Sequence, residues 1–242
     1  MNGDERERYA RQLMLPELNT PGQERLQAAR VLLIGAGGLA SPAALYLAAA
    51  GVGVVGLADG DSVERSNLQR QILHATPDLG RFKVESARET LEKLNPHVAV
   101  PIHRLYATPE TIAPLIAGYD FVLDCTDNYD SKFLINDACV RAEKAFCHAG
   151  ISGFRGQLMT WLPGGAPCFR CVFGQPPPDA PRPGVMGAAV GVIGSLQAME
   201  AIKYIAGIGT LCVGGLLTYD ALSGEFRRIS LPRDASCAAC GA

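Results

Sequence analysis

The sequence has no excess of charge of either sign. Its 22 Lys and Arg stand against 24 Asp and Glu, a formal net charge of −2. Without a strong field of one sign, a dedicated nucleic-acid binder is not expected. Long apolar runs are missing as well. The longest, Ala43 to Val55, is broken by Gly51 and Gly53, and none approaches the roughly eighteen residues that a membrane span requires. The amino terminus, MNGDERERYARQ, is charged and has no apolar stretch behind it, so no secretory leader is read there and a cytoplasmic location is expected. No internal repeat is visible. Glycine (27) and proline (16) are plentiful, but they cluster without a period, which excludes a collagen-like chain. A disordered chain is excluded too, because 48% of the residues are hydrophobic and only 19% charged.

What is present is a rhythm of strands and helices. Arg30 to Ile34 (RVLLI) reads as a buried parallel strand followed at once by glycines. Ser41-Pro42 opens an Ala- and Leu-rich helix that Gly51 ends. Val54 to Ala58 is the next strand, and Gly80 to Asn95 is a helix with Val84, Ala87, Leu91 and Leu94 on one face, stopped by Asn95-Pro96. Val98 to His103 and Phe121 to Asp124 are further strands. Strands alternating with helices imply right-handed crossovers and a doubly wound α/β sheet. Beyond residue 145 strands dominate: Phe146 to Ala149, Gln157 to Leu162, Val213 to Asp220 and Phe226 to Leu231, with one helix over Val192 to Ile205. The stretch Gly174 to Gly184 (GQPPPDAPRPG) holds five prolines and reads as a mobile loop. We expect one domain over 1–242. Its Rossmann-like, parallel first half (1–145) continues into a mixed or antiparallel second half (146–242).

Gly35-Ala36-Gly37-Gly38-Leu39-Ala40 fits G-x-G-x-x-A between a strand and a helix. The glycines let backbone N–H groups approach a phosphate, and the helix amino terminus favours its charge. Ala40 stands where a third glycine is common, a change tolerated because that position only packs helix on strand. Asp59 ends the following strand, placed to accept from ribose hydroxyls. These features indicate a nucleotide without selecting one. The next segment, Ser66-Asn67-Leu68-Gln69-Arg70-Gln71, is polar and cationic; Lys83 opens the following helix, and Asp124-Cys125-Thr126-Asp127-Asn128 closes a later strand. Hydride transfer needs little cationic charge at its pyrophosphate. A triphosphate under attack needs Arg and Lys to neutralise charge and a carboxylate for Mg²⁺, which Arg70, Lys83 and Asp127 would provide.

Cys168-Phe169-Arg170-Cys171 and Cys237-Ala238-Ala239-Cys240 are two C-x-x-C pairs 65 residues apart. Four thiolates make a closed tetrahedral zinc site with a structural role; a redox C-x-x-C is the weaker reading. Cys125, Cys139, Cys147 and Cys212 lie in apolar contexts and read as inert core, so the eight cysteines do not form a disulfide framework. His74, His97, His103 and His148 read as hydrogen-bonded structural histidines.

Together GAGGLA, Asp59, SNLQRQ, KVESA, LDCTDN, GVIGSLQAMEAIK and the paired C-x-x-C closely resemble the MoeB/ThiF family, bacterial relatives of the ubiquitin-activating enzymes. The resemblance runs from Arg8-Tyr9-Ala10-Arg11-Gln12 to Cys240. It implies ATP- and Mg²⁺-dependent adenylation of the carboxyl-terminal Gly-Gly of a ubiquitin-like sulfur carrier, by a homodimer. By position it implies Gly35, Gly37 and Gly38 at the nucleotide, Asp59 at the ribose, and Ser66 to Arg70 with Lys83 along the phosphates. Asn67, Arg70 and Lys83 would contact those phosphates directly. Asp127 would hold Mg²⁺, with Asp61 and Asn128 nearby, and Arg11 would reach into the neighbouring subunit. KVESA, LNPH, SLQAMEAIK and Tyr219-Asp220-Ala221 resemble the molybdopterin side of the family, whereas GFRGQLM (153–159) looks closer to the thiamine side. The chain departs from many relatives in having no cysteine between Cys171 and Cys212. Adenylation without a covalent carrier adduct at the proline-rich loop is therefore expected. No rhodanese extension follows Cys240, so sulfur is expected from another protein, a cysteine desulfurase or rhodanese. Two other readings are an NAD-dependent oxidoreductase, for which SNLQR has no purpose, and a non-catalytic scaffold, which has no use for Arg70, Lys83 and Asp127.

Overall fold

The computed structural model describes residues 1–164, 166–174 and 184–241. The proline-rich stretch falls, at 175–183, outside the described residues. An eight-stranded sheet spans both halves: β1 (Arg30–Ile34), β2 (Val54–Ala58), β3 (Ile102–His103), β4 (Phe121–Asp124), β5 (Phe146–Ser152), β6 (Arg155–Trp161), β7 (Gly215–Asp220) and β8 (Glu225–Ser230), in the order β3-β2-β1-β4-β5-β6-β7-β8. β3 to β5 pair in parallel, and every neighbour from β5 to β8 is antiparallel. The expected parallel half continuing into an antiparallel half is thus the observed sheet.

Each central strand is apolar on both faces, because helices cover both. Val31 and Leu33 of β1 join one core with Val55, Leu57, Phe121 and Leu123. That core also takes in α3 (Asn19–Ala28), α4 (Ala40–Ala50), α5 (Lys83–Leu94) and α9 (Gly187–Ala206). Leu32 and Ile34 point the other way, with Val122 and Phe146, against α6 (Ile112–Ala117) and α7 (Tyr129–Arg141). The two-residue period of a strand therefore divides the apolar runs between two layers. Two short helices, α1 (Gly3–Arg8) and α2 (Ala10–Leu13), precede α3, and α8 (Phe169–Phe173) follows β6.

Two expectations need correction. The strand read at 98–103 survives only as β3: the segment before it gives carbonyls to β2 from Ala99 and Pro101, and proline has no N–H to return. Leu94 continues the stripe of Val84, Ala87 and Leu91 but is exposed, because α5 ends there. The last long helix begins at Gly187, five residues before Val192. Gly187 and Gly191 disguise that first turn, since glycine disfavours helices. Close packing also explains Gly194, where an added Cβ would lie 2.2 Å from the carbonyl of Leu39 at the head of α4. Among the described residues no helix is long and apolar enough to cross a membrane.

Candidate nucleotide site and thiol cluster

Strand order reverses at β1, with β2 on one side and β4 on the other. Ile34 is in register with both Ala58 and Asp124, so the loops beginning at Gly35, Asp59 and Cys125 leave the sheet side by side. In an open α/β sheet this switch point is where ligands bind.

Gly35 has φ +95°, and an added Cβ there would stand 2.8 Å from the Cys125 carbonyl, so glycine is required by the turn. Gly38 is covered by Val190 and by the aliphatic stem of Arg70, 2.9 and 3.4 Å from an added Cβ. Gly37 differs: an added Cβ would make only ordinary contact with the Gln71 amide at 3.6 Å. The protein itself does not require glycine at 37, as fits a position kept open for a ligand. Gln71 is buried, and its Oε1 has no partner among the described residues.

The Asp59 carboxylate accepts from the backbone N–H of Ala36 at 2.7 Å and of Asp61 at 2.8 Å. It ties the glycine loop to the end of β2, and each oxygen keeps capacity for a further donor. Lys83 begins α5, is buried, and donates from Nζ to Asp61 Oδ2 at 2.7 Å. Tyr106 also donates to Asp61, and losing that bond on ionisation raises its phenol above the ordinary range. Arg70 is half-buried and donates to the Ser66 carbonyl at 3.0 Å. Ser66 and Gln69 are exposed, Leu68 is half-buried, and buried Asn67 accepts from the Glu64 N–H at 3.2 Å. His74 bridges Ser86 Oγ and the Ala36 carbonyl at 2.9 and 3.1 Å, fastening this segment under the glycine loop. Burial lowers its pKa.

Asp127 and Asn128 are exposed between β4 and α7, and Asn128 Oδ1 caps α7 by accepting from the Ser131 N–H at 2.9 Å. Arg11 lies elsewhere, exposed on α2; among the described residues its side chain makes no hydrogen bond or ion pair. The glycine loop, Asp59, Asp61, Asn67, Arg70, Lys83, Asp127 and Asn128 thus belong to the loops and helix starts around one sheet end, and Arg11 does not.

In the layer beneath, His148 is the hydrogen-bonded structural histidine read from the sequence, whereas Lys132 and the grouping around Asp124 went unread. Asp124, Lys132 and His148 are all buried, with Lys132 Nζ 3.3 Å and His148 Nδ1 2.9 Å from Asp124 Oδ2. Burial alone would push the Asp124 carboxyl up; Lys132 and the hydrogen bonds from His148 and Thr126 overcome it and hold it well below the usual carboxylate range. Burial, reinforced by Lys132, lowers His148 to about 4. The available signal was an aspartate closing an apolar strand, with a lysine eight residues on.

On the same face of the sheet as that layer, the Sγ atoms of Cys168, Cys171, Cys237 and Cys240 lie within 4.8 Å of one another, with separations of 3.4 to 4.0 Å along three edges. Four sulfurs each about 2.3 Å from one ion would be about 3.8 Å apart. The cluster therefore fits a tetrahedral metal. Burial pushes the Cys168 thiol up, so its deprotonation calls for a cation at the centre. Cys125, Cys139, Cys147 and Cys212 are buried, and burial raises each of their thiols.

The ThiF family matches residues 9–239. The chain is 49% identical over 247 residues to the adenylyltransferase and sulfurtransferase MOCS3 of Sus scrofa, and 46% identical over 257 residues to the adenylyltransferase and sulfurtransferase uba4 of Aspergillus fumigatus. These matches take in 100% and 99% of this chain but 54% and 52% of those proteins, so it spans about half the length of the relatives it matches. Among solved structures, E. coli MccB with MccA-N7isoASN superposes with a TM-score of 0.88 at 22% identity, over 100% of this chain and 76% of that one. E. coli MccB with ATP gives 0.86 at 23%, over 97% and 75%. At these identities the likeness shows the fold alone.

Proposed function

We propose, from the premise that the chain belongs to the ThiF family, that it adenylates the carboxyl-terminal glycine of a ubiquitin-like sulfur carrier. The observation that carries this is the assembly of Arg70, Lys83 and Asp127 around one sheet end with the glycine loop between them. The names of the MOCS3 and uba4 relatives, and the solved ATP complex of a protein of the same fold, support it.

The carrier carboxylate is ionised at neutral pH and needs no general base. It attacks the α-phosphorus, an acyl–phosphate bond forms, the bond to the β-phosphate oxygen breaks, and pyrophosphate leaves. The obstacle is repulsion between two anions, so the work falls to the cations that line the site. Arg70 and Lys83 neutralise the phosphates with Asn67. Asp59 receives the ribose, and the loop of Gly35, Gly37 and Gly38 lies along the phosphates. Asp127, with Asp61 and Asn128 nearby, would hold Mg²⁺, which would supply neutralising charge to the phosphates. Arg11 completes the site of a second copy in a homodimer, consistent with its isolation in this chain and with exposed Met14 and Leu15 beside it. The four cysteines would hold zinc, which would tie the tail to residues 168–171.

The second half, with Phe154, Leu222, Phe226 and Ile229 exposed, receives the carrier. A molybdopterin-synthase-type carrier is favoured over a thiamine-type one on the resemblance of KVESA and SLQAMEAIK. No cysteine lies at 175–183, and the other thiols are buried or clustered. The acyl-adenylate therefore passes to a sulfur donor without a covalent bond to a cysteine of these 242 residues.

Carrier-dependent ATP–pyrophosphate exchange tests the reaction and its substrate together. Exchange should require one of several purified carriers and fall about a hundred-fold in Asp127→Ala. If no carrier supports it, the adenylation reading fails. A reductant-sensitive adduct between carrier and any cysteine of this chain would overturn the absence of a covalent step.

A further inference from the structure

The loop that carries Asp127 is held from beneath by a buried ammonium group. Lys132, on the first full turn of α7, is 8% exposed. Its Nζ donates to the Thr126 carbonyl at 2.7 Å and the Ala149 carbonyl at 2.8 Å, and sits 3.3 and 3.4 Å from the two oxygens of Asp124. An ammonium has three protons, and these partners account for all of them. Asp124 Oδ1 in turn accepts from the Thr126 N–H at 3.0 Å and from Thr126 Oγ1 at 2.6 Å. Both polar backbone groups of Thr126, and its hydroxyl, are thus fixed by two charged side chains immediately before exposed Asp127.

The clamp is braced on three sides. Gln197 of α9 donates to the Asp124 carbonyl at 2.9 Å. His148 donates from Nδ1 to Asp124, while its buried Nε2 has no partner among the described residues and its ring lies 4.4 Å from that of Phe169. Phe169 follows the first thiol of the cysteine cluster, and its N–H donates to Asn136 of α7 at 2.8 Å. Arg170 grips Asp137 of α7 through two bonds of 2.6 and 2.7 Å.

A buried ion pair is weak evidence for stability, since desolvating two charges offsets most of their attraction. An apolar side chain at 132 would fill the space but leave the Thr126 and Ala149 carbonyls without this donor. What Lys132 uniquely supplies is the course of residues 124 to 127. We infer that Lys132 is a positioning residue for the nucleotide reaction, fixing loop 125–128 so that the Asp127 carboxylate meets Mg²⁺ without Lys132 touching substrate. This rests on the proposed role of Asp127.

The test uses the full chain with its zinc and two readouts. The first is ATP binding by calorimetry, with Mg²⁺ and in Mg²⁺-free buffer without chelator. Lys132→Met should bind ATP about ten-fold more weakly in Mg²⁺, in the range for losing a group that orients a metal ligand, yet change less than about two-fold without Mg²⁺. Lys132→Arg, which keeps a buried cation and donors, should recover most of the loss. The second readout is hydrogen exchange of residues 125–128 without nucleotide, which should quicken in Lys132→Met. A folded Lys132→Met with wild-type Mg²⁺ dependence overturns the inference. If that variant does not fold, Thr126→Val must show the same Mg²⁺-selective loss, and wild-type behaviour there overturns it equally. If the unaltered protein binds no ATP, the proposed function fails separately. Hydrogen exchange then decides alone: quickening in Thr126→Val supports the clamp, and no change overturns it.

Discussion

His148 shows how one side chain sets a pH dependence. Its imidazole is neutral in the folded protein, lowered to about 4 by burial and Lys132, whereas in the unfolded chain it titrates near 6.5. Between those values the unfolded state binds a proton that the folded state refuses. Stability should therefore fall as pH drops from about 6.5 to about 4, by roughly 3 kcal/mol if only this group contributes. Asp124 adds its own loss only below the ordinary carboxylate range, because its folded value is depressed. Urea unfolding across pH 7 to 4 measures the slope. In His148→Asn, whose amide can still donate to Asp124, the decline above pH 4 should become shallower, leaving the part due to His74 and His103, which burial also lowers; an unchanged slope would assign it to groups other than His148. Nothing at position 148 in the sequence announced this. Its partners, Asp124 and Lys132, come from β4 and α7, and only folding brings them together.

At the scale of elements, α9 places the head of α4 through its small residues. Gly194 lies where a Cβ would meet the Leu39 carbonyl at 2.2 Å and Pro42 at 2.5 Å, whereas around Gly191 nothing lies within 4 Å. Gly191→Ala should gain about 0.5–1 kcal/mol from helix propensity alone. Gly194→Val should cost about 1–3 kcal/mol by overpacking and weaken ATP binding, since α4 begins at the glycine loop. Thermal unfolding with nucleotide titration of the pair separates propensity from packing; equal effects at both positions would refute the close-approach argument. Most elements were legible because their apolar runs have the right length between Gly and Pro breaks, as at Arg30–Ile34 and Ala40–Ala50. The start of α9 and the helix over Tyr129–Arg141 were not. Glycines hide the first, and buried Lys132 and Asn136 make the second read as polar surface.

For the whole molecule, one sheet links the two halves through adjacent β4, β5 and β6. Denaturant unfolding of the metal-loaded protein should therefore be a single transition by both circular dichroism and Trp161 fluorescence; two separated transitions would divide the chain into two domains. The cysteine cluster joins residues 168–171 to 237–240, so the loaded protein should contain one zinc per chain. Chelation should expose the tail to proteolysis and lower the unfolding midpoint. Retained protection without zinc would remove the metal from the structural account. The proposed exchange of Arg11 between subunits has its own signature. Arg11→Ala and Asp127→Ala, each inactive alone, should regain roughly a quarter of wild-type exchange when mixed and allowed to reassort, because only one site in each mixed dimer is complete. No recovery would place Arg11 and Asp127 in the same subunit's site, or Arg11 in none.

The amino-acid sequence by itself determined the alternating strands and helices, the glycine turn, the polar and cationic segment after Asp59, and the four-cysteine set. Each depends on short-range rules: side-chain periodicity, the backbone freedom of glycine, and ligand spacing. Tertiary structure alone decided which groups share an environment. It brought the loops after β1, β2 and β4 to one switch point, separated Arg11 from them, and buried Asp124, Lys132 and His148 together beneath Asp127. The reason is physical: burial and charge pairing act through space over a few ångströms, between residues that can be dozens of positions apart along the chain.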